Sequence, residues 1–566
     1  MWFSRHRDLE SPGWMLVWGS LVGLFTGGVT VLYRLAVLKG NETIWGGNPA
    51  DFLLGSIAIR FLLPPLGGLV VGFVLYKLLD HRPGHGIPSV IHSVQTNQVR
   101  VPWRMAAPSV ASVVVLTTGG SAGPEGPVAE IGSVFGSNMG SRIGAKQKTL
   151  RVLVGCGVAA AIAAVFGAPI GGVFFALEVI FQGFELTLFA PVVISAVVAS
   201  LITSAVFEVE TAVVFPEFVF RPIELPAYVG LGLIVGLVAG FFIHWIEYAS
   251  RRFERLEVPL WIKPAIGGIG VGALGCYFLP EVIGEGYESL NHLINSEPLL
   301  WDLAFVLFGK ILATGLTLGS GAPGGCFAPA IFIGATLGAL YGGILERLSP
   351  DVVASPSSYA TMGMAGMIAG TFNAPMTAIL VALRVADENP DALLPLMTTV
   401  ALASFVMSRW EHVSVYTNIL KRHGQWFPVD FDKDPLLGIR VEEVVRAGVP
   451  RLSDSLSVDQ AFERIRERED AAFVVEGAKG EFRGVVTLQD LRLALADPFL
   501  GRLVNLEDVV DFSIPRLSPN TSLREAVREF ATSKREALPV FTASGEFVGL
   551  ITREEVLSAY RRGKEV

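Results

Sequence analysis

Charged residues are scarce in this chain. Asp, Glu, Lys and Arg make up 17% of its 566 residues, whereas 51% are hydrophobic, a balance that excludes an ordinary soluble protein of this length. Cysteine is scarcer still. Its three copies, Cys156, Cys276 and Cys326, all lie in apolar stretches, which argues against a disulfide framework or a metal cluster. The formal net charge of −8 is spread over both halves and does not indicate nucleic-acid binding.

Two kinds of motif are also missing. The N-terminus lacks the ordered regions of a secretory signal peptide, and no metal-ligand spacing or P-loop indicates an enzyme or a metal site. Arg5 and Arg7 precede the first apolar span, and Lys421 and Arg422 follow the last. Basic residues at these places favour a cytoplasmic location for both ends. We therefore expect a multi-pass protein of the cell membrane, with no enzymatic activity and a cytoplasmic tail.

Apolar segments recur from about residue 14 to residue 408, and many are interrupted by glycine and proline. The clearest breaks are 84–88, 123–127, and 319–323 running into 325–329. Backbone at membrane depth leaves the helix only where it is buried in protein or lines a cavity. Broken helices whose N-termini face one point form an anion site from backbone N–H groups and helix dipoles. The pattern predicts a membrane protein that moves an anion.

The apolar part of the chain contains an internal repeat. Residues 167–179 resemble residues 373–385, and the breaks at 123–127 and 319–329 precede them in the same order. We predict two repeats, roughly 14–207 and 227–408, in the pattern of inverted-repeat transporters. The sequence shows the duplication but not the inversion.

A second repeat lies in the polar tail. Residues 449–453 match 514–518, and residues 484–487 match 549–552 at the same offset. Each copy reads as a small α/β unit whose last helix begins with capping-box spacing. The capping pairs are Thr487 with Asp490 and Thr552 with Glu555.

Glu125 is the most informative acidic residue. A carboxylate inside the membrane costs about 2.5–3.5 kcal/mol on insertion scales, and Glu125 lies between glycines at the predicted start of a helix. The positive end of the helix dipole stabilises a carboxylate there. Such a side chain occupies the place of an inorganic anion and can leave when it is protonated. The alternative is an ordinary helix cap at a membrane interface.

Four motifs in order resemble those of the CLC chloride channel and transporter family. They are Gly84-His85-Gly86-Ile87-Pro88, Gly123-Pro124-Glu125-Gly126-Pro127, Gly325-Cys326-Phe327-Ala328-Pro329 and, after the last span, Tyr416. The paired units of the tail resemble two CBS domains. The resemblance implies an all-α polytopic membrane domain with inverted repeats and broken helices over 1–430. It also implies a cytosolic α/β CBS pair at 436–498 and 502–562.

The resemblance also assigns roles and partners. Glu125 corresponds to the gating glutamate, and chloride is the expected ligand. Tyr416 corresponds to the tyrosine whose hydroxyl closes the inner side of the central anion site. A dehydrated halide needs several weak donors, because a full positive charge would trap it. The implied protein is a homodimer with one pore per subunit. The positions expected to bind the anion are His85, Gly86, Ile87, Gly126, Cys326, Phe327 and Tyr416.

Two positions depart from the family pattern. His85 stands where the family usually has serine, so either it alters anion preference and pH sensitivity or it turns away. Val179 stands where proton-coupled members carry a second glutamate, and valine cannot carry a proton. We therefore predict a passive chloride channel gated by Glu125. An anion/proton antiporter remains the alternative, with Glu178 or Glu185 as another proton path.

The tail leaves two alternatives open. By the same resemblance, Asp490 or Glu555 would hold the ribose hydroxyls of an adenine nucleotide, and Thr487 or Thr552 would contact its phosphate. The alternative is that both pairs only cap helices. No other cofactor is expected. A CBS-bearing channel for divalent cations is disfavoured, because a cation pathway uses rings of Asp or Glu in the membrane and these spans contain few acids.

Overall fold

The computed structural model describes most of the chain in ranges separated by short gaps. The described residues are 11–46, 57–79, 86–95, 99, 101–183, 186–207, 220–277, 279–295, 298–350, 353, 355–386, 388–410, 414–422, 439–446, 448–466, 472–487, 490–491, 504–510, 514–533, 535–542 and 544–563. They fall into two compact units, Met1–Phe427 and Pro428–Val566.

The described part of the first unit is helical. Eight of its helical segments are long and apolar enough to cross a membrane. Its helices are α1 (Pro12–Trp45), α2 (Ile57–Gly72), α3 (Ile87–Gln95), α4 (Ala107–Thr117), α5 (Glu125–Arg142), α6 (Gln147–Phe166), α7 (Pro169–Phe175), α8 (Leu186–Val206), α9 (Leu225–Glu254), α10 (Lys263–Tyr277), α11 (Tyr287–Asn295), α12 (Leu300–Gly319), α13 (Phe327–Leu348), α14 (Pro356–Phe372), α15 (Pro375–Val385), α16 (Leu393–Trp410) and α17 (Val415–Arg422).

The N-termini of α5 and α13 meet inside this unit. Gly123 and Gly325, just before the two helices, exchange backbone hydrogen bonds of 2.7 and 2.8 Å as an antiparallel bridge. Each helix carries a proline as its third residue, Pro127 in α5 and Pro329 in α13. Proline is tolerated there because first-turn N–H groups have no partner within the helix. The glycine- and proline-rich motifs thus become two helix starts that face each other.

The sequence repeat is also visible in the helix ends. Helix α6 is capped by Gly167 and α14 by Asn373, both in the left-handed conformation. After one further residue, α7 begins at Pro169 and α15 at Pro375. The same helix–turn–helix geometry therefore occurs once in each half.

Close helix packing also repeats. A Cβ on Gly157 of α6 would collide with the backbone of Gly132 in α5, and a Cβ on Gly363 of α14 would collide with the backbone of Gly334 in α13. Without a hydrophobic driving force between helices in lipid, small residues at crossings let backbones approach and gain van der Waals contact. These crossings fix α5 and α13, the two helices that build the site.

The second unit contains two small sheets. In the first, β1 (Arg451–Ser453) runs parallel to β2 (Ala472–Glu476), which pairs antiparallel with β3 (Phe482–Thr487). In the second, β4 (Ala537–Phe541) pairs antiparallel with β5 (Phe547–Thr552). Both antiparallel pairs shift register at corresponding places, after Val475 and after Val540. The helices are α18 (Val458–Ile465), α19 (Leu506–Val509), α20 (Leu523–Ser533) and α21 (Arg553–Gly563).

Candidate functional site

A cavity of about 240 Å³ lies in the first unit and reaches the helix starts that the sequence singled out. Five of the predicted anion-binding positions line it, namely Gly86, Ile87, Gly126, Cys326 and Tyr416. They come from α3, α5 and α17 and from the segments just before α3 and α13, so the fold brings together parts of the chain that are far apart in sequence. The lining is mostly apolar, but these positions add backbone groups and a tyrosine hydroxyl to it, and ion pathways bind their ions through such groups.

Glu125 occupies the point where α5 and α13 meet. The residue is 0% exposed, and its Oε1 accepts a hydrogen bond of 2.5 Å from the Tyr287 hydroxyl. The backbone N–H of Ala328, in the first turn of α13, interacts with the same carboxyl group. Its Oε2 is buried and has no hydrogen-bond partner among the described residues. An acceptor therefore sits where the positive ends of two helix dipoles converge.

Gly123 leaves room for this carboxyl group. A Cβ on Gly123 would collide with Glu125 Oε2, and a Cβ on Gly325 would lie 3.5 Å from the same oxygen. The bridge between the two repeats thus has no side chains on the side that the carboxyl group occupies. This explains in physical terms why glycine precedes Glu125 by two residues.

Tyr416 lies beside the start of α13. It is buried at 5% exposure, and its hydroxyl and the Cys326 thiol interact by a hydrogen bond. The Phe327 ring does not line the cavity. It stacks on Phe372 with centroids 4.7 Å apart, and Phe372 packs in turn against Tyr416 at 5.3 Å. Phe327 is therefore a core side chain, and only its backbone N–H is available to the site.

Glu130 is a site residue that the sequence reasoning missed. It is 2% exposed and lines the cavity. Its Oε1 accepts from the Gly86 N–H at 2.8 Å, and its Oε2 accepts from the Ser109 hydroxyl. The Gly86 amide, which we expected to face the anion, is instead engaged by this carboxylate. His85, the neighbouring departure from the family pattern, lies outside the described residues.

The predicted proton positions have different surroundings. Val179 is buried at 3% exposure. Glu178 caps the first turn of α15, where its two oxygens accept from the N–H groups of Met376 and Thr377 at 2.8 and 2.9 Å. This explains the acidic residue beside Val179, since the orphan N–H groups of a helix start need acceptors. Glu185 lies outside the described residues.

Tyr287 is the other residue in contact with the candidate site that the sequence analysis missed. It is the first residue of α11 and follows Gly284-Glu285-Gly286. The only sequence signal was this pair of glycines before an aromatic residue in a membrane segment. Nothing in the local pattern links it to Glu125, because the two residues are 162 positions apart.

Comparison with known families identifies the chain. The family described as "Voltage gated chloride channel" matches residues 67–408, and the CBS domain matches residues 441–497 and 506–562. The chain belongs to the voltage-gated chloride channel (CLC) family. The resemblance inferred from the four motifs and the paired tail units is confirmed.

Individual relatives agree with this assignment. A ClcB-like chloride channel protein of Ralstonia nicotianae is 33% identical over 422 residues, covering 72% of this chain and 97% of that protein. A slow cyanobacterial Cl⁻/H⁺ antiporter is similar in structure, with a TM-score of 0.65 and 25% identity over 72% of this chain and 97% of that one. A eukaryotic CLC transporter has a TM-score of 0.60 over 96% of this chain and 97% of its own, and at 21% identity it shows the fold alone.

These similarities confirm the expected fold class, a helical CLC membrane domain followed by a CBS pair. The CLC chain is an integral multi-pass membrane protein of an anion-transport family. The boundaries 1–430, 436–498 and 502–562 and the cytoplasmic side of the tail stay predictions.

The CBS pair joins the four candidate nucleotide-binding residues in two reciprocal threonine–acid pairs. The Thr487 N–H and hydroxyl donate to Asp490 Oδ2 at 2.9 and 2.7 Å, and the Asp490 N–H donates back to the Thr487 hydroxyl. Thr552 and Glu555 form the same reciprocal pair at the start of α21. Both are capping boxes, as the alternative interpretation expected. Nucleotide binding at these residues stays a prediction.

Proposed function

We propose that this CLC protein is a chloride channel gated by Glu125. The observation that carries the proposal is the position of the Glu125 carboxyl group at the meeting helix starts, fully buried, while its neighbours Gly126 and Cys326 line the cavity. A carboxylate and a chloride ion compete for the same positive helix ends. When the side chain is neutralised or moves away, the backbone N–H groups of these helix starts become available to an anion.

Passive conduction is supported by the surroundings of the proton positions. Val179 cannot bind a proton, and Glu178 is held by the start of α15 through the N–H groups of Met376 and Thr377. A carboxylate that caps a helix from two backbone donors is a poor shuttle, since moving or neutralising it would leave those donors unsatisfied. We infer that no proton needs to cross for an anion to cross.

Anion/proton exchange is the second candidate, and Glu130 is the observation that favours it. This buried carboxyl group lines the same cavity as Tyr416 and lies one and a half turns beyond Glu125 on α5. Resemblance to a Cl⁻/H⁺ antiporter at 25% identity points the same way. In this second candidate, Glu130 takes the inner proton-binding role that Val179 has lost.

We further propose a homodimer with a separate pathway in each subunit. Support comes from the cavity, since α3, α5, α17 and the segments just before α3 and α13 of one chain supply the predicted anion-binding residues that line it. Mass measurement of the purified protein in detergent tests the dimer. A monomeric protein that still transports chloride would contradict it.

The decisive test is the reversal potential of the purified protein in planar bilayers. A chloride gradient is imposed first, and a pH gradient is then added across the same membrane. A channel gives a potential that follows the chloride Nernst value and does not respond to pH. A potential that moves with the pH gradient contradicts the passive mode and supports exchange.

If the potential moves, Glu130→Gln is the next variant, with Glu224→Gln as its matched control. Glu224 is also a buried carboxylate that accepts from a hydroxyl, that of Tyr359 at 2.7 Å, and it does not line the cavity. Loss of the pH response in the Glu130 variant alone would assign the proton to Glu130. Loss in both variants, or in neither, would remove that assignment.

A further inference from the structure

The proposed gate is held by a second residue, Tyr287. Its hydroxyl lies 2.5 Å from Glu125 Oε1, whereas Oε2 has no hydrogen-bond partner among the described residues. The hydrogen bond to Tyr287 is therefore the side-chain contact that fixes where the carboxyl group lies. Hydrogen bonds to an ionised acceptor are short and about twice as strong as neutral ones.

The loop before Tyr287 is anchored by a buried lysine. Lys310 of α12 is 0% exposed, and its Nζ donates to the carbonyl oxygens of Val282 and Gly284 at 3.2 and 2.9 Å. The same Nζ lies 4.9 Å from the centre of the Phe332 ring of α13. A buried amino group needs such acceptors, and these hydrogen bonds tie the loop to α12.

Gly286 also helps to position Tyr287. Its φ of +94° is in the region that favours glycine. A Cβ at this position would lie 2.7 Å from the Phe332 ring and 2.9 Å from Lys310 Nζ. The contacts with Lys310 and Phe332 therefore restrict the conformation of the loop, and the loop holds the Tyr287 hydroxyl against the Glu125 carboxyl group.

The two tyrosines near Glu125 have different positions. Tyr416 lines the cavity, and Tyr287 is not among the described residues that line it. Both lie close enough to Glu125 for a charge on its carboxyl group to act on them. Tyr416 is thus placed to meet an anion in the cavity, whereas Tyr287 is placed to hold the carboxyl group.

We propose that Tyr287 is a positioning residue that latches Glu125 across the anion pathway, so that opening requires this hydrogen bond to break. The inference rests on the proposed gating role of Glu125 and adds the group that sets how tightly the gate closes. It applies equally to a channel and to an exchanger, because in both the anion must displace the same carboxylate.

The other charged and titratable groups around the latch come from several elements. Those that interact electrostatically with Glu125, Tyr287 or their neighbour Glu285 include Tyr33, Arg34, Glu288, Lys310, Cys326 and Tyr416. The substitution Tyr287→Phe keeps all of them and the aromatic ring, and removes only the hydroxyl. A change in flux can then be attributed to the lost hydrogen bond.

The experiment measures chloride efflux from liposomes containing the full-length protein, at neutral and at acidic pH. We expect Tyr287→Phe to raise efflux at neutral pH about tenfold, the size expected for losing a hydrogen bond to a charged group. At acidic pH the gain should be small, because a protonated carboxyl group has already lost its charge. The ratio between acidic and neutral flux should therefore fall.

The matched control is Tyr359→Phe. It also removes a tyrosine hydroxyl that donates to a buried carboxylate, Glu224, at 2.7 Å, but neither residue lines the cavity. Flux should stay at the wild-type level in this control. An equal rise in both variants would show a general loosening of the protein and overturn the latch.

A double variant separates the latch from the gate. If Glu125→Gln raises flux and Tyr287→Phe adds nothing to it, the two residues act as one unit. If Glu125→Gln raises flux but Tyr287→Phe alone does not, the latch is wrong and the gate stands. If Glu125→Gln leaves flux unchanged, the gating role fails and the latch fails with it.

Gly286→Ala tests the same idea without touching the hydroxyl. The added Cβ should displace the loop from Lys310 and Phe332, and we expect higher flux at neutral pH with a smaller response to acid. If a folded Gly286→Ala protein has the flux and the acid response of the wild type, this loop does not position Tyr287 for gating. The Glu125→Gln background should again abolish the difference.

Discussion

Helices α5 and α13 begin in the same way but with different side chains. Both follow a glycine of the Gly123–Gly325 bridge, and both carry proline as their third residue. Helix α5 begins with Glu125, whose carboxyl group lies at the meeting point of the helix starts, whereas α13 begins with Phe327, whose ring stacks on Phe372 in the core. The duplicated backbone supplies the electrostatics of an anion site twice. A single side chain decides which copy carries the proposed gate.

The ends of the two repeats differ in a similar way. Glu178 of the first half corresponds in the repeat to Arg384 of the second. Glu178 caps the start of α15 in the other half, whereas Arg384 pairs with exposed Glu388 at 3.2 Å. Duplication therefore preserves backbone geometry, while charged positions specialise according to what each one faces.

The largest expected effect comes from breaking the shared helix packing. Gly157→Ala and Gly363→Ala each place a methyl group against the backbone of the facing helix. We expect each to cost about 3 kcal/mol or more, since overpacking of a close helix crossing forces the backbones apart. The measurement is thermal unfolding and monodispersity in detergent.

The control for these variants is Gly28→Ala. Gly28 also lies in a helix of this domain, but a Cβ there would meet nothing within 4 Å. It should be neutral, or more stable by about 0.5–1 kcal/mol, because alanine favours a helix over glycine. Loss of stability in only one of the two repeat variants would break the structural equivalence of the halves.

The next largest effect concerns the residue that differs between the helix starts. Glu125→Gln keeps the shape of the side chain and removes its charge, so it should raise chloride flux at neutral pH about tenfold and flatten the response to acid. Liposome efflux measures both. Glu224→Gln, which neutralises a buried carboxylate elsewhere, should leave flux unchanged. Wild-type flux and acid response in the Glu125 variant would exclude it as the gate.

At Phe327, the corresponding position of the second repeat, we expect a substitution to lower stability and to leave gating unchanged. Phe327→Leu removes ring contacts with Phe372 and should cost about 1–2 kcal/mol of stability. Its backbone N–H remains, so the acid response of chloride flux should be unchanged. Thermal unfolding tests the loss of stability, and chloride efflux from the same preparation tests the acid response. A flattened acid response in Phe327→Leu would mean that this side chain takes part in gating.

The smallest expected effect concerns the CBS pair. Its two units carry the same threonine–acid pair, unlike the two membrane repeats, which differ at Glu125 and Phe327. Thr552→Val removes the hydroxyl that caps α21, and Thr487→Val removes its counterpart. Each should cost about 1 kcal/mol, measured as faster hydrogen–deuterium exchange in the residues that follow each threonine. Calorimetric titration with an adenine nucleotide tests the binding prediction separately. Nucleotide binding that is unaffected by both variants would leave these residues as helix caps only.

The helix starts and Glu125 could be predicted because their signals are local. Glycine and proline interrupt apolar runs wherever the backbone must leave the helix in a membrane, and a lone acid at such a break is costly enough to indicate function. Tyr416 needed the family resemblance as well, since one tyrosine after a span is uninformative by itself. The two capping boxes in the tail could be predicted because Thr-x-x-Asp in the first unit repeats as Thr-x-x-Glu in the second.

By itself, the sequence determined that this chain is a duplicated membrane protein with broken helices, a buried acid at one break and two CBS units. The tertiary structure alone decided which groups meet that acid and its surroundings. Tyr287 reaches Glu125 over 162 residues, and Glu130 reaches the Gly86 amide over 44. Such pairings depend on where separate helices and loops come together in space. A hydrogen bond requires only that donor and acceptor are close and well oriented. Local sequence patterns, such as hydrophobic periodicity and the positions of glycine and proline, therefore do not predict these pairings.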